Sequence, residues 1–449
     1  MQYSERRGFQ AYKDLSAHRL CIQNVQIFAV LPLVQKGVGL LLASVPFHSI
    51  LIFPGISVIK AIGVVVAPMW FLWIVTTLTA RGTFKMPRTF FFFLLASLGL
   101  LIAILLSFFY APPSPLFFPS TMTILSGIVM AVVIASVVHS EHELQKAYAA
   151  LILGGTIAAF LAIAEFISPE TVSRFLRQRI FIEGDVVRVT GPFRDPNYGA
   201  LVLLTLCTLT LYRAQVCRRG GARLMFYASA VVQIVAVLLT FSRAAYITLG
   251  FLLLAIILRK QRRFLAWGVI VISVAVMTAF GLEFMEKIVS RATTLIDFTR
   301  FLHSDFSVAV KIDLSLWYRL NVALGGLRMA GAYFPLGVGW ENFRYRIPEF
   351  STGLPQLGAH NTYIAAIAEL GLPGTVALIL FFWIQLRRVS TLSKHECKRL
   401  ASLAEGLRFS LLVILICGLF LTVLHEAVVW AVAGLIMSAG WAKTLENAT

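Results

Sequence analysis

The 449-residue sequence predicts an all-α integral membrane protein of about twelve transmembrane helices, with one large periplasmic loop containing amphipathic helices. Three observations predict it. The chain is 59% hydrophobic and only 13% charged, with a mean hydropathy of +0.83, whereas soluble domains carry about 25% charged residues. Apolar runs recur at the ~20-residue length needed to cross the hydrocarbon of a bilayer. Lys and Arg gather in alternate gaps between those runs, as they do in loops on the cytoplasmic side of a membrane.

Residues 1–25 are polar and charged, without the apolar core and small-residue cleavage site of a secretion signal, and read as a cytoplasmic segment. Transmembrane helices 1–9 occupy 26–282, as runs near 26–45, 57–80, 89–110, 117–138, 146–167, 197–212, 224–241, 244–258 and 264–282. Gln35, Lys36 and Pro46 interrupt the first run, and only Ser242-Arg243 separates the seventh from the eighth. Residues 283–360 form the outer loop. Helices 10–12, near 361–386, 407–424 and 427–442, and a cytoplasmic tail make up 361–449.

With the N-terminus inside, the inner gaps carry "RGTFKMPR", "RAQVCRRGGAR", "RKQRR" and "LRRVSTLSKHECKR", while the outer "APPSPLFFPS" has no charge. Both termini therefore face the cytoplasm. One outer segment breaks the rule. "SRFLRQRIFIEGDVVRVTGPFRDPN" holds Arg174, Arg177, Arg179, Arg188 and Arg194. Either the span count slips there, or these arginines act on the outer face.

A net charge of +18 would suit a nucleic-acid partner, but its placement between apolar runs points to a membrane, and no nucleic acid is expected. Cys21, Cys207, Cys217, Cys397 and Cys417 lack metal or disulfide spacing. The sequence has no Asp-x-Asp, no His/Cys/carboxylate cluster, no phosphate-binding Gly-rich loop and no Gly-x-Ser-x-Gly elbow. No metal site and no cofactor are expected.

In the outer loop, "DLSLWYRLNVALGGLRMAGAY" puts Leu316, Leu320, Leu324 and Leu327 on one helical stripe, flanked by Arg319 and Arg328. Such a helix can lie on the bilayer with its arginines among headgroups. "FPLGVGWENF" then turns the chain toward His360. Asn361 is a good N-cap for the next helix, and the helix dipole lowers the pKa of an imidazole at that end. A neutral His360 there suits a general base; a capping or headgroup-contacting His is the ordinary alternative. Glu369, a buried acid in a span, lies half a turn round from His360 and has no evident partner. Arg243 is costly at a span end unless it snorkels or binds an anion.

"HNTYIAAIAELGLPG" fits a pattern of His-Asn, nine residues, Gly, two residues, Gly, at His360, Asn361, Gly371 and Gly374. This resembles the O-antigen ligase and O-antigen polymerase superfamily of bacterial inner-membrane proteins. "TGPFRDPNYGALVLL", "TFSRAAYITL" and "PLGVGWENF" are similar to further family elements and stand in the family's order. The resemblance implies metal-independent glycan transfer on the periplasmic face, from an undecaprenyl-diphosphate donor to a lipid A–core acceptor. It implies His360 as the base, with Arg243 and Arg319 stabilising the diphosphate leaving group; Arg328 competes with Arg319. Asn361, Arg188, Arg194 and Arg328 are the implied substrate contacts, and membrane lipids the surroundings. A polymerase using the same donor is the nearest alternative, and a multi-pass transporter a further one. Polar residues gathered outside, not at mid-membrane, weigh against transport.

Overall fold

The computed structural model describes residues 31–53, 56–81, 88–177, 179–183, 186–257, 306–351 and 354–446. Among them, eight helices are long and apolar enough to cross a membrane: α2 (Val58–Arg81), α3 (Arg88–Tyr110), α4 (Phe117–Val137), α5 (Glu141–Ile167), α7 (Pro196–Val216), α8 (Gly220–Leu239), α12 (Thr362–Leu392) and α13 (Lys398–Cys417). Three further apolar helices, α1 (Leu31–Phe47), α9 (Arg243–Ile257) and α14 (Ala427–Glu446), are shorter in their apolar part. The remaining helices are α6 (Pro169–Leu176), α10 (Phe306–Ala332) and α11 (Phe343–Phe350). Two small antiparallel hairpins, β1–β2 (Leu51–Phe53, Ile56–Ser57) and β3–β4 (Phe181–Glu183, Val186–Arg188), complete the described elements. The expected ninth span, the "RKQRR" gap, the loop start at 283–305 and the N-terminal segment lie outside the described residues.

The chain is a multi-pass membrane protein, and its surfaces show why. α2 and α3 turn Val64, Phe71, Phe91, Leu98 and Phe109 outward, a face that lipid satisfies and water does not. α7 lies inside, with most of its length buried. Its threonines bring no unmet polar groups into that interior: Thr205 Oγ1 donates to Leu201 O at 2.7 Å, and Thr208 Oγ1 meets Ser410 Oγ of α13 at 2.5 Å. Ser140 and Glu143 form a reciprocal capping box at the head of α5.

The gaps expected on the outer side all meet at one end of the bundle. Val189 N donates to Leu239 O (3.4 Å), Tyr198 OH pairs with Thr422 Oγ1 (2.9 Å), and Tyr110 OH donates to Leu336 O (2.6 Å). His48 Nε2 lies 3.0 Å from Glu426 Oε2.

Two expectations change. The apolar run at 407–424 is not one helix: α13 starts at Lys398 and stops at Cys417. The chain turns there because Gly418, Leu419 and Leu421 supply carbonyls to the head of α12. α12 is itself broken, at Gly371 (φ 60°, ψ −151°), with Pro373 just beyond. The "PLGVG" turn fills the break: Val338 N donates to Ala368 O (2.8 Å), Gly339 N to Glu369 O (2.9 Å), and Leu372 N to Pro335 O (2.8 Å). Backbone groups freed inside a membrane helix must find such partners. The break also answers the Glu369 question. Its buried carboxylate accepts from Phe343 N at 3.1 Å and caps α11, whose own N-cap Asn342 makes no side-chain cap bond.

Gly371 is required twice. Its positive φ disfavours any side chain, and an added Cβ would strike the Pro335 carbonyl. Gly371→Ala is expected to destabilise the protein by about 1–3 kcal/mol from backbone strain alone, read as a lower Tm in detergent; an unchanged Tm would show that the turn does not dock there.

α10 is helical where its periodicity predicted, with Leu324 and Leu327 exposed. Its opposite face is not free. Val322 and Met329 are buried, and Gly325 and Gly326 admit Ile347 and Phe343 of α11 and Ile364 of α12. The helix thus presses on the head of α12, which is what places its arginines.

Candidate functional site

The head of α12 is the best-held point at this end of the bundle. Asn361 takes an extended backbone, and its amide oxygen accepts from Tyr363 N (2.9 Å) and Ile364 N (3.0 Å), while Nδ2 donates to Leu419 O (2.9 Å). The side chain expected to contact substrate is therefore engaged as a cap and a tie to the 418–421 turn. Thr362 adds two more ties, its N–H to Gly418 O (2.8 Å) and its hydroxyl to Leu421 O (2.6 Å).

His360 stands immediately before this cap at φ 46°, a left-handed conformation that His tolerates better than most residues. Its ring is exposed, yet the nearby protein removes enough water to lower its pKa below the ordinary 6.5. The next cause is the positive charge of Arg319; Asp195 opposes it, and Arg344 adds to it. Burial and two guanidiniums act in the same direction as the helix dipole at this end of α12. The result is a neutral imidazole near pH 7, able to accept a proton.

Arg319 is half-buried on α10, and Arg344 is exposed in the first turn of α11. Asp195 comes from the opposite side, where it caps α7 by accepting from Asn197 N at 2.7 Å and from its Nδ2 at 3.0 Å. Asn197 Oδ1 in turn accepts from Ser242 Oγ at 2.9 Å. Ser242 is the residue before Arg243, so a short path of contacts leads from the Ser-Arg corner to the acid facing His360.

A buried carboxylate holds that corner's loop. Glu165 on α5 accepts from Thr190 N (2.8 Å), Gly191 N (2.6 Å) and Thr190 Oγ1 (3.0 Å), and so sets the course of "TGPFRDPN". Glu165→Ala leaves two buried N–H groups without an acceptor, at about 1–3 kcal/mol each. The expected readout is a lowered Tm, with Glu165→Gln less harmful because it keeps one acceptor oxygen; equal loss for both would refute the anchoring role.

Of the remaining expected contacts, Arg188 ties β4 to the corner, with Nε to Thr240 O at 3.0 Å and Nη2 to Asn197 Oδ1 at 3.1 Å. Those bonds orient it into the fold. Arg194 is exposed, and its charge bears on His48. Arg328 donates to Phe350 O at 3.3 Å, at the far end of α11, and its charge is not among the causes of the His360 shift. Arg319 and Arg328 were indistinguishable by periodicity; only the packing of α10 separates them. Arg174, exposed, pairs loosely with Glu170 at 3.4 Å.

Sequence reading missed Arg344, Asp195 and Glu165. Asp195-Pro196 carried a signal, since Asp then Pro is a strong helix start. Arg344 carried none, being one of two arginines within three residues.

Beside His360 lies a cavity of about 250 Å³, walled by Trp340, Glu341, Arg344, Glu369, Thr422 and His425 among others. Gly358, Ala359 and Thr362, which flank His360, also line it. Among the described residues, no three His, Cys, Asp or Glu come together as metal ligands.

Residues 228–379 match the family model described as O-Antigen ligase. No curated protein matches the chain. The matched stretch contains the Ser242-Arg243 corner, α10, the docked Gly-x-Gly turn, the His-Asn cap and the break at Gly371. This segment of a multi-pass membrane protein is thus similar to the O-antigen ligase family.

Proposed function

We propose that the protein is a glycosyltransferase that moves O-antigen glycan from undecaprenyl diphosphate to lipid A–core, at the periplasmic face of the bacterial inner membrane. Its twelve spans keep both termini in the cytoplasm and present the loop of residues 283–360 outside. The observation that carries this reading is His360, fixed before the α12 cap with the charge of Arg319 bearing on it. His360 takes the proton of the acceptor hydroxyl as that oxygen bonds to the anomeric carbon. The anomeric C–O bond to the diphosphate breaks, and the lipid diphosphate leaves with the electron pair. Negative charge growing on the leaving oxygen is met by Arg319 and Arg243, whose guanidiniums stay protonated and bind phosphate oxygens in pairs. Asp195 and Asn361 position; Arg188 and Arg194 help to shape the outer face near the donor.

Deleting the gene and running the lipopolysaccharide on a gel tests the assignment. Loss of the whole ladder with carrier-linked polymer accumulating supports a ligase. A single-repeat band identifies the polymerase instead, and an unchanged profile removes this reading.

A further inference from the structure

We propose that the cavity beside His360, walled by Trp340, Glu341, Arg344 and His425, is a saccharide subsite that seats one neutral sugar ring next to the reacting bond. The inference rests on the glycan-transfer reading above and adds where, and by which groups, the sugar is recognised.

Position comes first. The wall includes Gly358, Ala359 and Thr362, so a ring held there lies beside the segment that carries His360. At about 250 Å³ the space is below the ~300–1,000 Å³ of sites for drug-sized ligands, and suits something on the order of one ring.

Chemistry comes second. The wall offers acceptors in the Glu341 and Glu369 carboxylates, a donor in Arg344, and the hydroxyls of Ser120 and Thr422. Alternating donors and acceptors match a ring of hydroxyls. Trp340 sharpens the case: it is 4% exposed, its indole N–H has no partner among the described residues, and a buried donor left unmet is costly. A sugar hydroxyl in the cavity would accept from it. On this wall the Glu341 carboxylate is offset by the charge of Arg344, so a neutral ring suits it better than a diphosphate does.

The Glu341 carboxylate is held in place for this. Its backbone sits at φ 62°, where a side chain other than Gly costs about 1–3 kcal/mol. His425 Nε2 lies 3.1 Å from its Oε1, and His425 stacks on Trp340 with ring centroids 5.6 Å apart. Burial alone would raise the Glu341 carboxyl, but the bond and charge of His425, a Ser120 hydrogen bond and Arg344 outweigh it and hold the group low. It remains an ionised acceptor.

Two sources share this chemistry, the first sugar of the donor and the terminal sugar of the acceptor, and kinetics separates them. Purified protein in lipid nanodiscs is assayed with undecaprenyl-diphosphate glycan and lipid A–core, each varied while the other saturates. Glu341→Gln and Trp340→Phe are expected to raise one KM by about tenfold, with kcat changed less than about threefold. Whichever KM rises names the source. Ala365→Leu, which fills the cavity without touching its polar groups, is expected to raise the same KM. Both KM values unchanged, or kcat lost alone, in variants that keep the wild-type Tm would overturn the subsite. Full-rate transfer by His360→Ala would remove the transfer reading itself, so the two failures are told apart.

Discussion

Replacing His360 with alanine is expected to lower glycan transfer by about 10²–10⁴-fold, the usual contribution of a positioned base. The loss should fall on kcat, since the ring is exposed and the α12 cap is built by Asn361 and Thr362, which the substitution leaves intact. The substitution keeps the left-handed strain at this position, since alanine must adopt the same backbone there, and stability falls only slightly. The check is transfer by purified protein, alongside the lipopolysaccharide ladder of a complemented deletion strain. A variant within a few-fold of wild type would show that another group takes the acceptor proton, and the mechanism would be withdrawn.

Arg319→Gln is expected to cost about 10²–10³-fold in kcat, the range for losing one preorganised group that meets developing negative charge. It should also move the pH profile, which separates a site role from a structural one. A general base works when neutral, so wild-type activity falls as pH drops through the His360 pKa. That pKa lies below the ordinary 6.5, from burial first and Arg319 second. Removing the Arg319 charge raises it, and the acid limb of kcat/KM shifts to higher pH. Arg319→Lys keeps the charge, so the limb stays near its wild-type position while the rate still falls, because an ammonium cannot hold two phosphate oxygens in a planar fork. A limb that stays put in Arg319→Gln would uncouple the two residues. Arg328→Gln serves as the comparison: its bond to Phe350 O is a tie within the loop, and the limb should not move.

The membrane class and the order of the helices were legible in the sequence because lipid imposes one demand on every span. Twenty apolar residues in a row, and Lys or Arg in alternate gaps, are written locally and survive any packing. The Asn361 cap was legible for the same reason, since it acts on backbone groups within a turn. So was the family pattern around His360, which residues 228–379 bear out.

Tertiary structure decided what depends on contacts far apart in sequence. Gly371-Leu372-Pro373-Gly374 marked a weak point in the apolar run at 361–386, but a break inside a membrane is affordable only when a distant segment, here Pro335 to Gly339, supplies hydrogen bonds. Glu369 looked partnerless because its partner is the N-terminus of a short helix elsewhere in the chain. Arg319 and Arg328 share one helix and similar neighbours, and only the close approach of α10 to α12 through Gly325 and Gly326 brings one charge to bear on His360. Periodicity says which side of a helix is apolar; which neighbour that side meets is settled by shape.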